Sequence, residues 1–143
     1  MNTSLRTATA LGFAAALAVA VAMPLPVVNA GQVAGSVLDG VFTTAQAARG
    51  RQRFQQECSA CHTVGEHTGR KFGARWQGST MGDLFALVSA TMPEGNPGGL
   101  EPADYAAILA FFLSESGYKA GDAELASEVE PLARIRIEPL PQQ

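Results

Sequence analysis

The chain has 143 residues, 47% of them apolar, with a formal net charge of −3; this length suits one domain and leaves little room for a second catalytic unit. Arg6 is the only charged residue before residue 31, so the remainder sets 9 basic residues (10 less Arg6) against 13 acidic ones. That acidic balance excludes a nucleic acid or another polyanion as partner.

Residues 1–30 read as a secretory signal peptide. Met1–Arg6 carries one positive charge, Ala8–Ala22 forms an apolar core, and Val28-Asn29-Ala30 offers the small residues of a cleavage site, with the cut expected after Ala30. The rival is an uncleaved anchor, which needs about 20 apolar residues; Pro24 and Pro26 interrupt the run too early for that. The expected working domain is residues 31–143, periplasmic, with no stable membrane insertion after cleavage.

Gly31–Val41 is small and polar. Thr43 then starts a first helix, with Gln46 three residues on in capping-box register. This helix is expected from Thr44 toward Cys58, burying the stripe Ala47, Gly50, Phe54 and Cys58 and leaving Arg49, Arg51 and Arg53 outside it. Thr63–Gly78, rich in glycine and charge, reads as a loop with at most one short helical turn. Thr80 and Asp83 open a second helix that carries Leu84, Phe85, Leu87 and Val88 and ends near Thr91. Met92-Pro93 through Gly98-Gly99 can be neither helix nor regular strand. Pro102 begins a third helix with Tyr105, Ile108, Leu109, Phe111 and Phe112, which stops at Gly117. The tail, about 122–143, is acidic and then proline-punctuated, and is expected to lie extended over the surface.

The chemistry resides in Cys58-Ser59-Ala60-Cys61-His62. The two cysteines are too close in sequence for a disulfide between them to close a stabilising loop. At a helix end, residues three and four apart share a face, so both sulfurs and the imidazole point to one side. Two thioethers to haem vinyl groups and one nitrogen to iron satisfy that geometry, and the spacing is the haem c attachment signal. A thioredoxin-type redox pair needs a strand-helix-strand setting that is missing here. Structural zinc needs four ligands, and only His62 and His67 join the cysteines, at a spacing unlike a zinc finger. Opposite His62 the best second axial ligand is Met92, a soft thioether held extended by Pro93 at the head of an irregular loop. Met81, at a helix start, reads as core filling. His67 reads as a loop histidine facing water. The metal ligands are therefore expected to be His62 and Met92.

These motifs resemble the class I c-type cytochromes, an all-α family with three main helices around one covalent haem; extended terminal segments would flank them here. The attachment motif near the start of the exported part and the Met92-Pro93 loop carry the likeness, and the motif's position excludes the four-helix cytochromes, which bear it near the C-terminus. The resemblance implies a close crossing of the first and last helices through Gly50 and Phe54 on one and Ile108 and Phe111 on the other. One departure stands out: the family's proline loop, whose carbonyl accepts a hydrogen bond from the proximal imidazole, has no counterpart, since no proline occurs between Pro26 and Pro93. A backbone carbonyl from Gly69–Gly73 is the expected substitute. Trp76 reads equally as a propionate contact, which the family often has, or as a loop-covering hydrophobe.

A looser likeness over Ser36–Leu125 is carried by Ser36–Thr43, Ala74-Arg75-Trp76, Gly82-Asp83-Leu84-Phe85 and Met92-Pro93 through Gly98-Gly99-Leu100 to Tyr105. It is similar to small periplasmic cytochromes that accompany quinoprotein (pyrroloquinoline quinone) dehydrogenases. This resemblance implies a one-electron carrier, not an enzyme, taking electrons from such a dehydrogenase and passing them toward a terminal oxidase. The alternative is a haem enzyme or gas sensor with a labile distal ligand, for which His67 and Tyr105 are the available distal groups.

Overall fold

The computed structural model describes Met1 and residues 35–141. The expected signal peptide, Met1 apart, lies outside the described residues. Among the described residues five α-helices follow one another: α1 (Thr44–Glu57), α2 (Gly69–Trp76), α3 (Met81–Thr91), α4 (Pro102–Glu115) and α5 (Val129–Leu132), with 3-10 turns at Val37–Asp39 and Val64–Glu66. No helix of the described residues is long and apolar enough to cross a membrane.

Local chemistry sets the helix starts. The Thr43 hydroxyl accepts the Gln46 N–H at the head of α1, and Thr80 and Asp83 form a reciprocal capping box at the head of α3. The Thr80 N–H holds the Asp83 carboxyl below its ordinary pKa range. Pro102 occupies the first turn of α4, where its missing N–H costs nothing.

The α1–α4 crossing dominates the tertiary structure. A Cβ placed on Gly50 would sit 1.8 Å from the Ala107 carbonyl oxygen and 2.9 Å from the Ile108 nitrogen, so the two backbones meet where only glycine fits. The expected crossing is present: Ile108 faces Gly50, joined there by the Ala107 carbonyl, and Phe111 meets Phe54. Phe54 lies alongside, its ring tilted at 5.9 Å from Phe111 and edge-on at 5.6 Å from Phe112. The arginines left off the buried stripe pair with acids of α4 and the tail: Arg53 with Asp104 at 2.9 Å, Arg51 with Glu115, and Arg49 with Glu124 at 2.7 Å.

Two expectations are corrected. Residues 63–78 hold a 3-10 turn and the two-turn helix α2, whose buried side chain is Phe72, in edge contact with Tyr118. The tail lies over the surface but is not extended throughout: it holds the short helix α5, and its apolar side chains turn inward. Leu125, Leu132, Ile135 and Ile137 are buried, and Arg136 bridges Ser36 on one side and Thr80 on the other. Backbone bonds Val37 N–H to Arg136 O, Met81 N–H to Ile135 O and Ile137 N–H to Ser79 O lace it in. The buried Gln46 amide both donates to and accepts from the Leu125 backbone at 2.8 Å.

Gly50→Ala forces the methyl into the Ala107 carbonyl and is expected to lower the unfolding free energy by about 1–3 kcal/mol, the usual range for overpacking. An exposed helical glycine would gain up to about 1 kcal/mol from the same change, so chemical denaturation distinguishes the two by sign.

Candidate cofactor site

The C-terminus of α1 builds the reactive turn. Cys58 caps the helix, its N–H bonding the Phe54 carbonyl at 2.9 Å, and its own carbonyl accepts the N–H groups of both Cys61 (3.1 Å) and His62 (3.0 Å). This tight turn gathers Cys58, Cys61 and His62 on the lining of a single cavity of about 640 Å³. The cysteines are free. Burial, and then the Glu57 charge, push the Cys58 thiol above its ordinary pKa.

Met92 reaches the same cavity from the end of α3. Its backbone is extended (φ −125°, ψ 152°) and its N–H still bonds the Val88 carbonyl, so the helix delivers the thioether and stops there. Tyr105 fixes the loop that follows: its hydroxyl donates to the Met92 carbonyl at 2.7 Å and accepts the Leu100 N–H at 3.3 Å. Met81 is fully buried in the core, as expected, and does not line the cavity.

The walls are apolar: Leu84, Leu87 and Val88 from α3, Ile108 and Phe112 from α4, Leu100 from the loop and Trp76 from α2. Leu87 is 43% exposed although it lies on the apolar face of its helix; that face is a cavity wall and only partly a core contact. Trp76 is half-buried at this wall with the Arg75 guanidinium 5.6 Å from its ring centre.

His67 corrects the sequence reading. It is only partly exposed: its ring stacks on Phe112 at 5.4 Å and 22°, crosses His62 at 4.9 Å and 72°, and lines the cavity. Burial lowers its pKa, with the nearby His62 adding to the effect, Glu66 opposing it and Arg75 adding a little more. Sequence reasoning missed the 3-10 turn that carries it, although Thr63 and Glu66 stand in capping-box spacing. In that turn the Thr63 N–H donates to the Glu66 carboxylate at 2.8 Å and holds it below the ordinary range. His62, Glu66 and His67 bring ligand atoms within 4.8 Å of one another. Neither cysteine belongs to that group, so the four-ligand set of a zinc site is not assembled among the described residues.

A cavity of this size falls within the range for cofactor sites. Apolar walls, two thiols, an imidazole and a thioether form a donor set that fits haem and its iron. The family model described as cytochrome c oxidase, cbb3-type, subunit III matches residues 45–112, slightly less than half of the chain, from the first turn of α1 to Phe112. No curated protein and no solved structure matches. The match supports a c-type cytochrome. Together with five helices and no strand among the described residues, it gives the chain an all-α cytochrome c fold.

Tyr105→Phe leaves the Met92 carbonyl and the Leu100 N–H without their shared partner. The expected result is a loss of about 1 kcal/mol of stability and faster hydrogen exchange at the Leu100 amide. Unchanged protection at Leu100 would show that Tyr105 does not hold the loop.

Proposed function

We propose that the protein is a periplasmic one-electron carrier with one covalently bound haem c, which Cys58 and Cys61 would tether and whose iron His62 and Met92 would ligate. The observation that carries this reading is the convergence of these four side chains, drawn from the end of α1 and the end of α3, on one apolar cavity. Bound there, the haem supplies a one-electron couple whose potential His/Met ligation raises.

The chain's own residues have distinct tasks. Cys58 and Cys61 fix the group so that it cannot dissociate in the exported compartment. Leu84, Val88, Ile108 and Phe112 keep water from one side of the site, which favours the less charged redox state. Tyr105 anchors the backbone of Met92 and so limits how far the thioether can swing. His62 and Met92 would together hold the iron and leave it no open position for a substrate.

The partners follow from resemblance: a quinoprotein dehydrogenase as donor and a terminal oxidase as acceptor. The matched family is by its description a subunit of an oxidase, which agrees with electrons leaving toward one. Carriers of this kind meet partners weakly over small patches, and the exposed edge at Leu87 and the 93–99 loop suits such a contact. The haem enzyme or gas sensor reading needs a free distal group. Its two candidates are engaged elsewhere: the Tyr105 hydroxyl bonds the Met92 carbonyl, and His67 stacks on Phe112 beside His62.

Expressed with its export signal, the protein is expected to hold haem through acid-acetone extraction, and Cys58→Ala combined with Cys61→Ala to lose it. Met92→Ala is expected to lower the potential and to create carbon monoxide binding by the ferrous form, while Met81→Ala leaves both unchanged. Fast, tight carbon monoxide binding by the unaltered protein would transfer the assignment to the sensor or enzyme.

A further inference from the structure

We infer that His67 is the positioning residue for His62, accepting the hydrogen bond from the ring nitrogen that does not face iron. The inference rests on the haem reading above.

An imidazole that ligates through one nitrogen presents the other as an N–H donor, and the group that accepts this bond fixes the ring's orientation and raises its basicity. The carbonyls expected to serve, residues 69–73, lie in α2, where helical N–H groups already occupy them; the Gly73 carbonyl accepts from Gln77 at 2.9 Å. What stands beside the His62 ring is the His67 ring, 4.9 Å away and at 72°; the rings are not hydrogen-bonded in this geometry, and on haem binding a small turn of either would close the bond. A neutral imidazole offers one acceptor nitrogen.

The placement of His67 is built twice over. From the backbone side, the Thr63–Glu66 capping box closes the 3-10 turn and the His67 N–H bonds the Val64 carbonyl at 3.0 Å. From the side-chain side, Phe112 of α4 stacks on the ring. The neighbouring Glu66 is the rival acceptor, but it is exposed and its carboxylate already accepts the Thr63 N–H. By accepting from His62, His67 strengthens that ligand's electron donation and favours the oxidised state.

The test is a redox titration of the holoprotein together with the hyperfine-shifted proton spectrum of its ferric form. His67→Phe keeps a ring to stack on Phe112 but removes the acceptor. It is expected to shift the ferrous/ferric ratio at fixed ambient potential about tenfold toward ferrous, about 59 mV for a one-electron couple, with thermal stability retained. His67→Asn restores a carbonyl acceptor and is expected to reverse part of the shift, whereas Glu66→Gln leaves the potential unchanged. A measurement on the unsubstituted ferrous protein stands beside these variants: the His62 ring N–H should exchange slowly and show coupling across a hydrogen bond to a His67 ring nitrogen. An unchanged potential and hyperfine pattern in His67→Phe, a shift produced by Glu66→Gln instead, a change of axial ligand in His67→Phe, or a rapidly exchanging His62 N–H would each overturn the inference. A parent protein that matures without covalent haem refutes the carrier reading itself, and is seen before any substitution is made.

Discussion

At Gly50 the backbone of α1 rests against the Ala107 carbonyl of α4 with no room for a single methyl. This contact decides where every other part of the site can be. Two helices held at that distance and angle cannot slide, because any side chain at the crossing would separate them. About two turns beyond Gly50, α1 ends at its cap Cys58, and the turn that follows carries Cys61 and His62 beside Ile108 and Phe112 of the partner helix. Phe54 connects the two regions: it packs on Phe111 and Phe112 at the crossing and also lines the cavity. Packing and cofactor geometry are thus one constraint, read at two depths along the same helix pair.

The surface ion pairs add little to this. Arg49 and Glu124 are each about half exposed, and pairs of that kind contribute between zero and about 1 kcal/mol. The tail is secured by stronger means. The Gln46 side chain, buried in α1, satisfies both its amide groups on the Leu125 backbone, and leaving either unmatched would cost a buried polar group its partner. Arg136 lies between residues 35–37 and 78–81: its backbone bonds Gly35 and Val37, its neighbours Ile135 and Ile137 bond Met81, Gly78 and Ser79, and its guanidinium donates to the Gly78 carbonyl. Behind it, the Ala133 backbone approaches Gly82 so closely that a Cβ there would lie 2.8 Å away. The last segment therefore closes the bottom of α3, the helix that ends in Met92.

Three helices were legible because each carries its own local signals. Thr43 and Thr80 are caps, Pro102 suits a first turn, and Ala47, Gly50 and Phe54 recur on one face. The α2 helix was not legible, since it buries only Phe72 among glycines and charges, too little for periodicity to show. The alternation of Ile135 and Ile137 with arginines was visible, but its pairing partners lie some 55 and 100 residues away, and alternation alone does not say which surface it meets. The motif residues were legible from spacing. His67 was not, because its environment is made by Phe112, which is 45 residues further along the chain.

The apolar face of α3 shows why a sequence of this type conveys its core only in part. Leu84, Leu87, Val88 and Thr91 follow helical spacing, and the ordinary inference is that such a stripe packs on protein. Leu84 does so, yet Leu87 and Val88 remain partly exposed along the cavity. The stripe is complementary to something that is not encoded as a side chain. On the carrier reading the haem completes this core, and a domain this small gains a large fraction of its buried apolar surface from it. That requirement explains the economy of the distal loop: eight residues from Met92 to Gly99 need no hydrophobic packing of their own if Tyr105 ties down one end and the cofactor supports the other. It also makes covalent attachment a structural device. A ligand held only by mass action stabilises the fold by an amount that grows with the logarithm of its free concentration and vanishes with it, whereas on the same reading two thioether bonds to Cys58 and Cys61 would make the missing part of the core permanent.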